Sequence, residues 1–298
     1  MKNTLPNFLI VGAAKCGTTS LHNYINQHPE VFMPSYNNEG VNIKEPQYLV
    51  KNMVQNRLHF GIWSWNEYKS LFLNKDNYKA IGEASVFYLY YYKEAIKNIK
   101  IKLGNNIKII ILLRNPIDRA YSAYNHVSKG LKENLSFEEA LNQENKRLTK
   151  DKLLTPMVMY KEMGLYYKMV KAYTESFKNV HIILYDEFIT NTDSVLKDTF
   201  EFLDVDSSIS INSKAKYNTG GKRWKSVFLK NFFYQNNFLK RLLPIFIKDV
   251  LRRNLVTLLT KKIPPMNGRT NEYLNSYFKE DIENLAKLIS RNLKHWIK

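Results

Sequence analysis

Apolar side chains gather in three short runs, each long enough for a strand and too short for a typical globular helix. FLIV at residues 8–11, IKIIILL at 107–113 and VHIILY at 180–185 are rich in β-branched residues and lie near polar or turn residues. Near-continuous apolar character, rather than strict alternation, predicts strands buried on both faces. Elsewhere the period lengthens to that of a helix, and helices are expected at 18–28, 117–129, 161–177 and 270–289. Ser136 and Glu139 have the spacing of a capping box that opens one more. Strands alternating with helices predict an α/β fold, a central parallel sheet with helices on both faces. Ligands of such sheets sit beyond the carboxyl ends of the strands, so the segments beginning at Gly12 and Arg114 should share one rim.

The 298 residues are 44% apolar and 24% charged, which suits one folded domain over residues 1–298 and excludes disordered and fibrous classes. A single cysteine, Cys16, rules out an internal disulfide and a multi-cysteine zinc cluster. No run approaches the roughly 18 apolar residues of a spanning helix, and the chain enters its first strand without a signal-like segment. A cytoplasmic, soluble enzyme is expected. Forty-five Lys and Arg against 27 Asp and Glu give a net charge of +18, which favours anionic partners without choosing among them. Residues 225–263 read as a basic, aromatic helical insertion within the domain. Two readings of 225–262 stand side by side: helices packed on the sheet with a solvated basic face, or a peripheral contact with an anionic membrane or acceptor.

The most informative segment is FLIVGAAKCGTTSL at residues 8–21. Gly12 and Gly17 have the GxxxxG spacing of a phosphate-binding loop, but Thr18 stands where a nucleotide kinase or ATPase carries lysine. Lysine lies inside the loop instead, at Lys15. Backbone N–H groups from Cys16 and Gly17 through Thr18, Thr19 and Ser20 can still face a phosphate at the helix N-terminus. Lys15 there suits a single 5′-phosphate and its leaving oxygen. In IIILLRNPIDRAYSAYNH, Arg114 ends a strand, Pro116 suits the first turn of a helix and Ser122 follows two turns in. Arg114 is placed for bidentate phosphate binding and Ser122 for a supporting hydroxyl, while Asp118 and Arg119 read as structural. Together the two segments describe a P-loop-like site for a nucleotide phosphorylated at two places.

Here the chain resembles the sulfotransferases that use 3′-phosphoadenosine 5′-phosphosulfate, in the carbohydrate branch of heparan sulfate N- and 3-O-sulfotransferases and their bacterial relatives. KCGTTSL is similar to their 5′-phosphosulfate loop and LLRNPIDRAYSAY to their 3′-phosphate motif. KEPQYL (44–49), GEASVFYL (82–89) and LAKLISRNLKHW (285–296) add to the likeness. The resemblance implies a sulfotransferase that releases adenosine 3′,5′-bisphosphate, with a hydroxyl or amine of a carbohydrate, polysaccharide or glycolipid as acceptor. Nucleic acid is not an implied partner. The chain has NTGGKRW at 218–224 where cytosolic phenol and steroid sulfotransferases carry a late Arg-Lys-Gly motif, so Arg223 or Lys222 stands in for that phosphate contact. It also has Ala84 where 3-O-sulfotransferases carry lysine.

Sulfuryl transfer is mainly a matter of positioning and charge stabilisation. Lys15 and the helix N-terminus would stabilise charge on the leaving oxygen, and no metal is expected. An acceptor alcohol needs a base. The resemblance makes Glu45 that base; His126, four residues after Ser122 on one helical face, is the second candidate or a hydrogen-bonding partner. Lys44, Glu83 and Ser85 are expected near the acceptor, with Glu83 positioning substrate by resemblance or else making a buried hydrogen bond. Trp63, Trp65 and Tyr68 are candidates for bordering a glycan cleft. The competing functions are a magnesium-dependent P-loop kinase or NTPase and a non-enzymatic basic binding protein.

Overall fold

The computed structural model describes residues 4–35, 43–129, 133–214, 222–224 and 260–297. Its centre is a five-stranded sheet of β1 (Phe8–Gly12), β2 (Val31–Phe32), β3 (Ala80–Ala84), β4 (Lys108–Leu113) and β5 (Val180–Leu184). The order is β2-β3-β1-β4-β5 and every pairing is parallel. Around it lie α1 (Thr18–Ile25), α2 (Lys51–Val54), α3 (Trp65–Ser70), α4 (Phe87–Tyr90), α5 (Tyr92–Lys102) and α6 (Pro116–Lys129). After these come α7 (Phe137–Lys150), α8 (Tyr166–Ser176), α9 (Tyr185–Thr190), α10 (Thr192–Phe202) and a long helix α11 (Gly268–Ile289).

The three apolar runs become β1, β4 and β5, and the burial of each follows its place. β1 is buried at every position and β4 at all but its first, because both are interior strands. β5 lies at an edge and buries only its last two residues. β3 has no comparable apolar run, since AIGEA places glycine and glutamate inside it. Gly82 is required there: it faces Phe8 in register, and a Cβ would lie 2.4 Å from the Phe8 ring.

The helix expected over 161–177 is shorter. A single 3₁₀ turn at Glu162–Gly164 precedes α8, because Gly164 lies against the Phe278 ring and Pro116, and Leu165 leaves helical geometry with ψ 80°. α1 stops at Ile25, and the Asn26 side chain then accepts the Met33 N–H at 2.7 Å, leading the chain into β2. The capping box forms: Glu139 N–H donates to Ser136 Oγ, and Ser136 N–H donates to the Glu139 carboxylate. α11 packs on α6 and α8 through Leu274, Phe278, Ile282 and Leu285.

The chain runs from β1 outward to β2, returns to β3 beside β1, and then crosses to the other side for β4 and β5. In open sheets of this kind such a reversal sets the ligand crevice at the carboxyl end of β1, the end to which the 13–17 loop, the end of β3 and Arg114 all belong. A two-stranded antiparallel ribbon, β6 (Lys222–Trp224) and β7 (Thr260–Lys262), lies apart from the main sheet, with the β6 backbone against α6. The expected insertion at 225–263 falls almost wholly outside the described residues. Among the described residues no helix is long and apolar enough to cross a membrane.

Candidate functional site

The loop after β1 is shaped by two glycines. Gly12 (φ 149°) has no room for a side chain, since a Cβ would stand 2.8 Å from Leu89 Cβ and 3.1 Å from the Val86 carbonyl. Gly17 (φ 93°) lies under Tyr185, whose ring is 3.1 Å from where a Cβ would be. Between them Lys15 takes a left-handed φ of 71°, and the Ala13 N–H ties the loop to the Leu112 carbonyl at 2.7 Å. α1 then begins without a side-chain cap, so no cap hydrogen bond engages the first-turn amides of Thr18, Thr19 and Ser20. Cys16 departs from its expected place among the ligand-facing residues. Its side chain is fully buried beneath the loop, 3.7 Å from the Tyr166 hydroxyl, and its N–H donates to the Ala13 carbonyl. Burial pushes its thiol up, which suits a packing role.

Two tyrosines join this loop to Arg114. The Arg114 guanidinium sits 4.8 Å from the centre of the same Tyr185 ring that covers Gly17. The hydroxyl of Tyr166, next to Cys16, donates to the Arg114 carbonyl at 3.1 Å. The following turn is braced from the far end of the chain: Asn115 accepts the Ile117 N–H and donates to the Trp296 carbonyl, and the Trp296 indole donates to Asp186. Arg119 is fully buried and donates to the Tyr160 carbonyl, while Asp118 is exposed. Along α6, Ser122, His126 and Lys129 fall at i, i+4 and i+7 and so share a face.

Electrostatics places these groups in one neighbourhood. Burial pulls Lys15 below the usual lysine range; Glu45 opposes that, and Arg114 and Lys129 add to it. His126 has an exposed edge, yet partial dehydration by the protein around it, then Lys15 and Lys129, push it down to about 4 against the pull of Glu45. Its imidazole is therefore neutral at pH 7. Lys129 and Tyr185 were not anticipated. The signal for Lys129 was its spacing of three from His126; Tyr185 had none, because the end of a strand was expected there.

Glu45 lies opposite on the KEPQYL segment, with Lys44 Nζ 3.1 Å from one carboxylate oxygen and Gln47 Nε2 3.0 Å from the other. Its side chain keeps 35% exposure, which leaves it reachable from the crevice. Three residues expected to face the acceptor lie deeper. The Lys44 side chain is only 10% exposed and stands near His22, which burial and the Lys44 charge push down to about 4. Glu83 and Ser85 are wholly buried, and the Ser85 hydroxyl donates to the Glu83 carboxylate at 2.8 Å. Their polar groups are spent inside the protein, which corrects the expectation of acceptor contact for Ser85 and agrees with the buried hydrogen bond that was the alternative for Glu83. Tyr68 is buried too, in a three-ring cluster with Tyr48 and Trp65, whereas Trp63 and Trp65 are half-buried. Arg223 pairs with Lys261 in β6–β7; its side chain lies outside what is described.

A cavity of about 580 Å³ lies elsewhere, lined by residues that include Asn52, Arg57, Tyr90, Tyr91 and Glu162. Arg57 there donates to the Asp151 and Leu154 carbonyls just beyond α7. Among the described residues no group of three or more His, Cys, Asp or Glu could hold a metal.

Comparison with known proteins gives the family and the fold. The model of the Sulfotransferase domain family matches residues 5–236. The membrane-associated sulfotransferase kil1 of Dictyostelium discoideum is 25% identical over 97% of this chain and 66% of its own length. The human bifunctional heparan sulfate N-deacetylase/N-sulfotransferase 3 is 23% identical over 96% of this chain, which spans only 30% of that protein. The crystal structure of a sulfotransferase from Alicyclobacillus acidocaldarius superposes with a TM-score of 0.73 at 28% identity, covering 99% of this chain and all of the other.

Proposed function

Because the chain belongs to the sulfotransferase domain family, we propose that it moves a sulfuryl group from 3′-phosphoadenosine 5′-phosphosulfate to a hydroxyl or amine of a carbohydrate, polysaccharide or glycolipid. The observation that carries this reading is the convergence of Lys15, Arg114, Glu45 and His126 at one crevice. The residues present fit such a nucleotide. Gly12 and Gly17, where packing leaves no room for a side chain, let the backbone take the loop conformation, and the cations Lys15 and Arg114 lie close enough there to act on one another.

When bound, the nucleotide supplies an activated sulfuryl group and a phosphate that can leave. Lys15 and the first-turn amides of Thr18, Thr19 and Ser20 hold the 5′-phosphate and stabilise charge on its bridging oxygen. Arg114, oriented by Tyr185, and Ser122 hold the 3′-phosphate. The Glu45 carboxylate takes the proton of the acceptor; Lys44 and Gln47 fix its two oxygens, each of which keeps a further lone pair. His126, neutral at pH 7, hydrogen-bonds the incoming acceptor. Lys129, on the same face of α6, adds positive charge that favours an acceptor already bearing anionic groups. The name of the heparan sulfate relative supports a glycan acceptor, that of the membrane-associated relative supports a peripheral contact of the protein itself with a membrane, and the net charge of +18 suits both.

The test is transfer of labelled sulfuryl groups to a panel of amine-bearing polysaccharides, O-unsubstituted glycans and glycolipids, with products read by mass. At least one glycan class should be sulfated. Glu45→Gln should lower kcat by about 10²- to 10⁴-fold while leaving nucleotide affinity within about twofold, since Glu45 lies outside the phosphate loop. Full turnover by Glu45→Gln would overturn the assignment of the base.

A further inference from the structure

We infer that Glu83, Ser85 and Gln47 form a buried positioning relay that holds Glu45 in place for proton abstraction. The inference rests on the reading of Glu45 as the base. Each link is a directional hydrogen bond. The Ser85 hydroxyl donates to Glu83 Oε2 at 2.8 Å and accepts the Gln47 N–H at 2.9 Å. The Gln47 side-chain amide then donates to Glu45 Oε2 at 3.0 Å. A carboxylate only accepts, so Glu45 also fixes which end of the Gln47 amide faces it.

The relay joins two segments that the fold alone brings together. Glu83 belongs to β3 and Ser85 follows it, anchored by a Ser85 N–H bond to the Ile10 carbonyl of β1. Gln47 lies on the irregular segment that carries Glu45, and its φ of 56° is left-handed, a conformation a glutamine does not hold unaided. The Ser85 bond secures that backbone, so the sheet sets the direction of the base. Burial supports the same role: Glu83 and Ser85 are fully buried and Gln47 is 1% exposed, so none is free to bind an acceptor directly. The Tyr68 hydroxyl donates to the other Glu83 oxygen, and the Tyr88 hydroxyl accepts the Leu49 N–H; both pin the relay from the far side.

Two measurements test the relay on the whole chain. The first needs no acceptor: the ¹³C carboxyl resonance of Glu45, assigned by its loss in Glu45→Gln, should shift in Ser85→Ala and Gln47→Ala. An unchanged resonance in both would overturn the relay. The second uses de-N-sulfated heparin and labelled 3′-phosphoadenosine 5′-phosphosulfate. Ser85→Ala should lower kcat about 10- to 100-fold with nucleotide affinity unchanged, and should cause no further loss in the Glu45→Gln background. Glu83→Gln, which keeps an acceptor for Ser85, should retain most of the activity that Glu83→Leu loses. An equal further loss in the Glu45→Gln background would show that Ser85 acts independently of the base and would overturn the relay. Full activity of Glu45→Gln alone would instead sink the base assignment, an outcome separate from the Glu45 resonance.

Discussion

Glu83 shows how one buried residue can set the pH response of the protein. Burial raises its carboxyl to about 7, although Tyr88, Ser85 and Tyr68 donate to it, and the nearby Glu45 charge adds to the rise. In the unfolded chain it titrates near the ordinary glutamate value. Between the two values the folded state holds a proton that the unfolded state has lost, so this contribution is complete below the unfolded pKa and fades as pH rises through about 7. His22 and His126, both pushed down to about 4, act with the opposite sign: their contribution is present above the unfolded histidine pKa and is lost as pH falls toward 4. Glu83→Gln removes the first dependence alone. Relative to wild type, its stability in urea should improve by on the order of 3 kcal/mol between pH 4.5 and pH 8. A constant difference across that range would show that Glu83 is not the titrating group.

At the scale of elements, β3 illustrates how a strand can form without an apolar run. Gly82 is the residue that lets it pair beside Phe8, with 2.4 Å between a built Cβ and the ring. Gly82→Ala should therefore destabilise the protein by about 1–3 kcal/mol, measured by thermal or denaturant unfolding; a neutral effect would mean that Phe8 can repack. This strand also explains what was legible beforehand. β1, its loop and α1 are contiguous, so composition and spacing sufficed to place Lys15 near a helix N-terminus. Arg114 was legible for the same reason, at the junction of an apolar run and a proline-led helix. Gln47 and Tyr185 were not, because their roles come from strand order. Gln47 matters only once β3 lies beside β1, and Tyr185 only once β5 closes against β4. Glu83 and Ser85 do fall at the end of β3, as their sequence position suggested, but their burial was not legible, because it comes from the packing of β3 between β1 and β2 and of the Gln47 segment over Ser85.

For the whole molecule, topology gathers residues from distant parts of the chain into one charged crevice. The chain end contributes through Trp296, whose carbonyl holds Asn115 and whose indole holds Asp186, so the position of Arg114 depends on both halves of the fold. Lys15 and Arg114, cations from different strand ends, are near enough for one to lower the other, a cost that a doubly phosphorylated ligand would relieve. A triphosphate held through magnesium would gain less here, because Thr18 occupies the position at which such sites carry lysine. Thermal unfolding with adenosine 3′,5′-bisphosphate against ATP and magnesium is the most direct test. The account predicts that the bisphosphate raises Tm by about 5 °C at a hundredfold excess over its Kd, and that Lys15→Ala and Arg114→Ala each remove most of that shift. A larger shift with ATP and magnesium, or an undiminished bisphosphate shift in both variants, would contradict it.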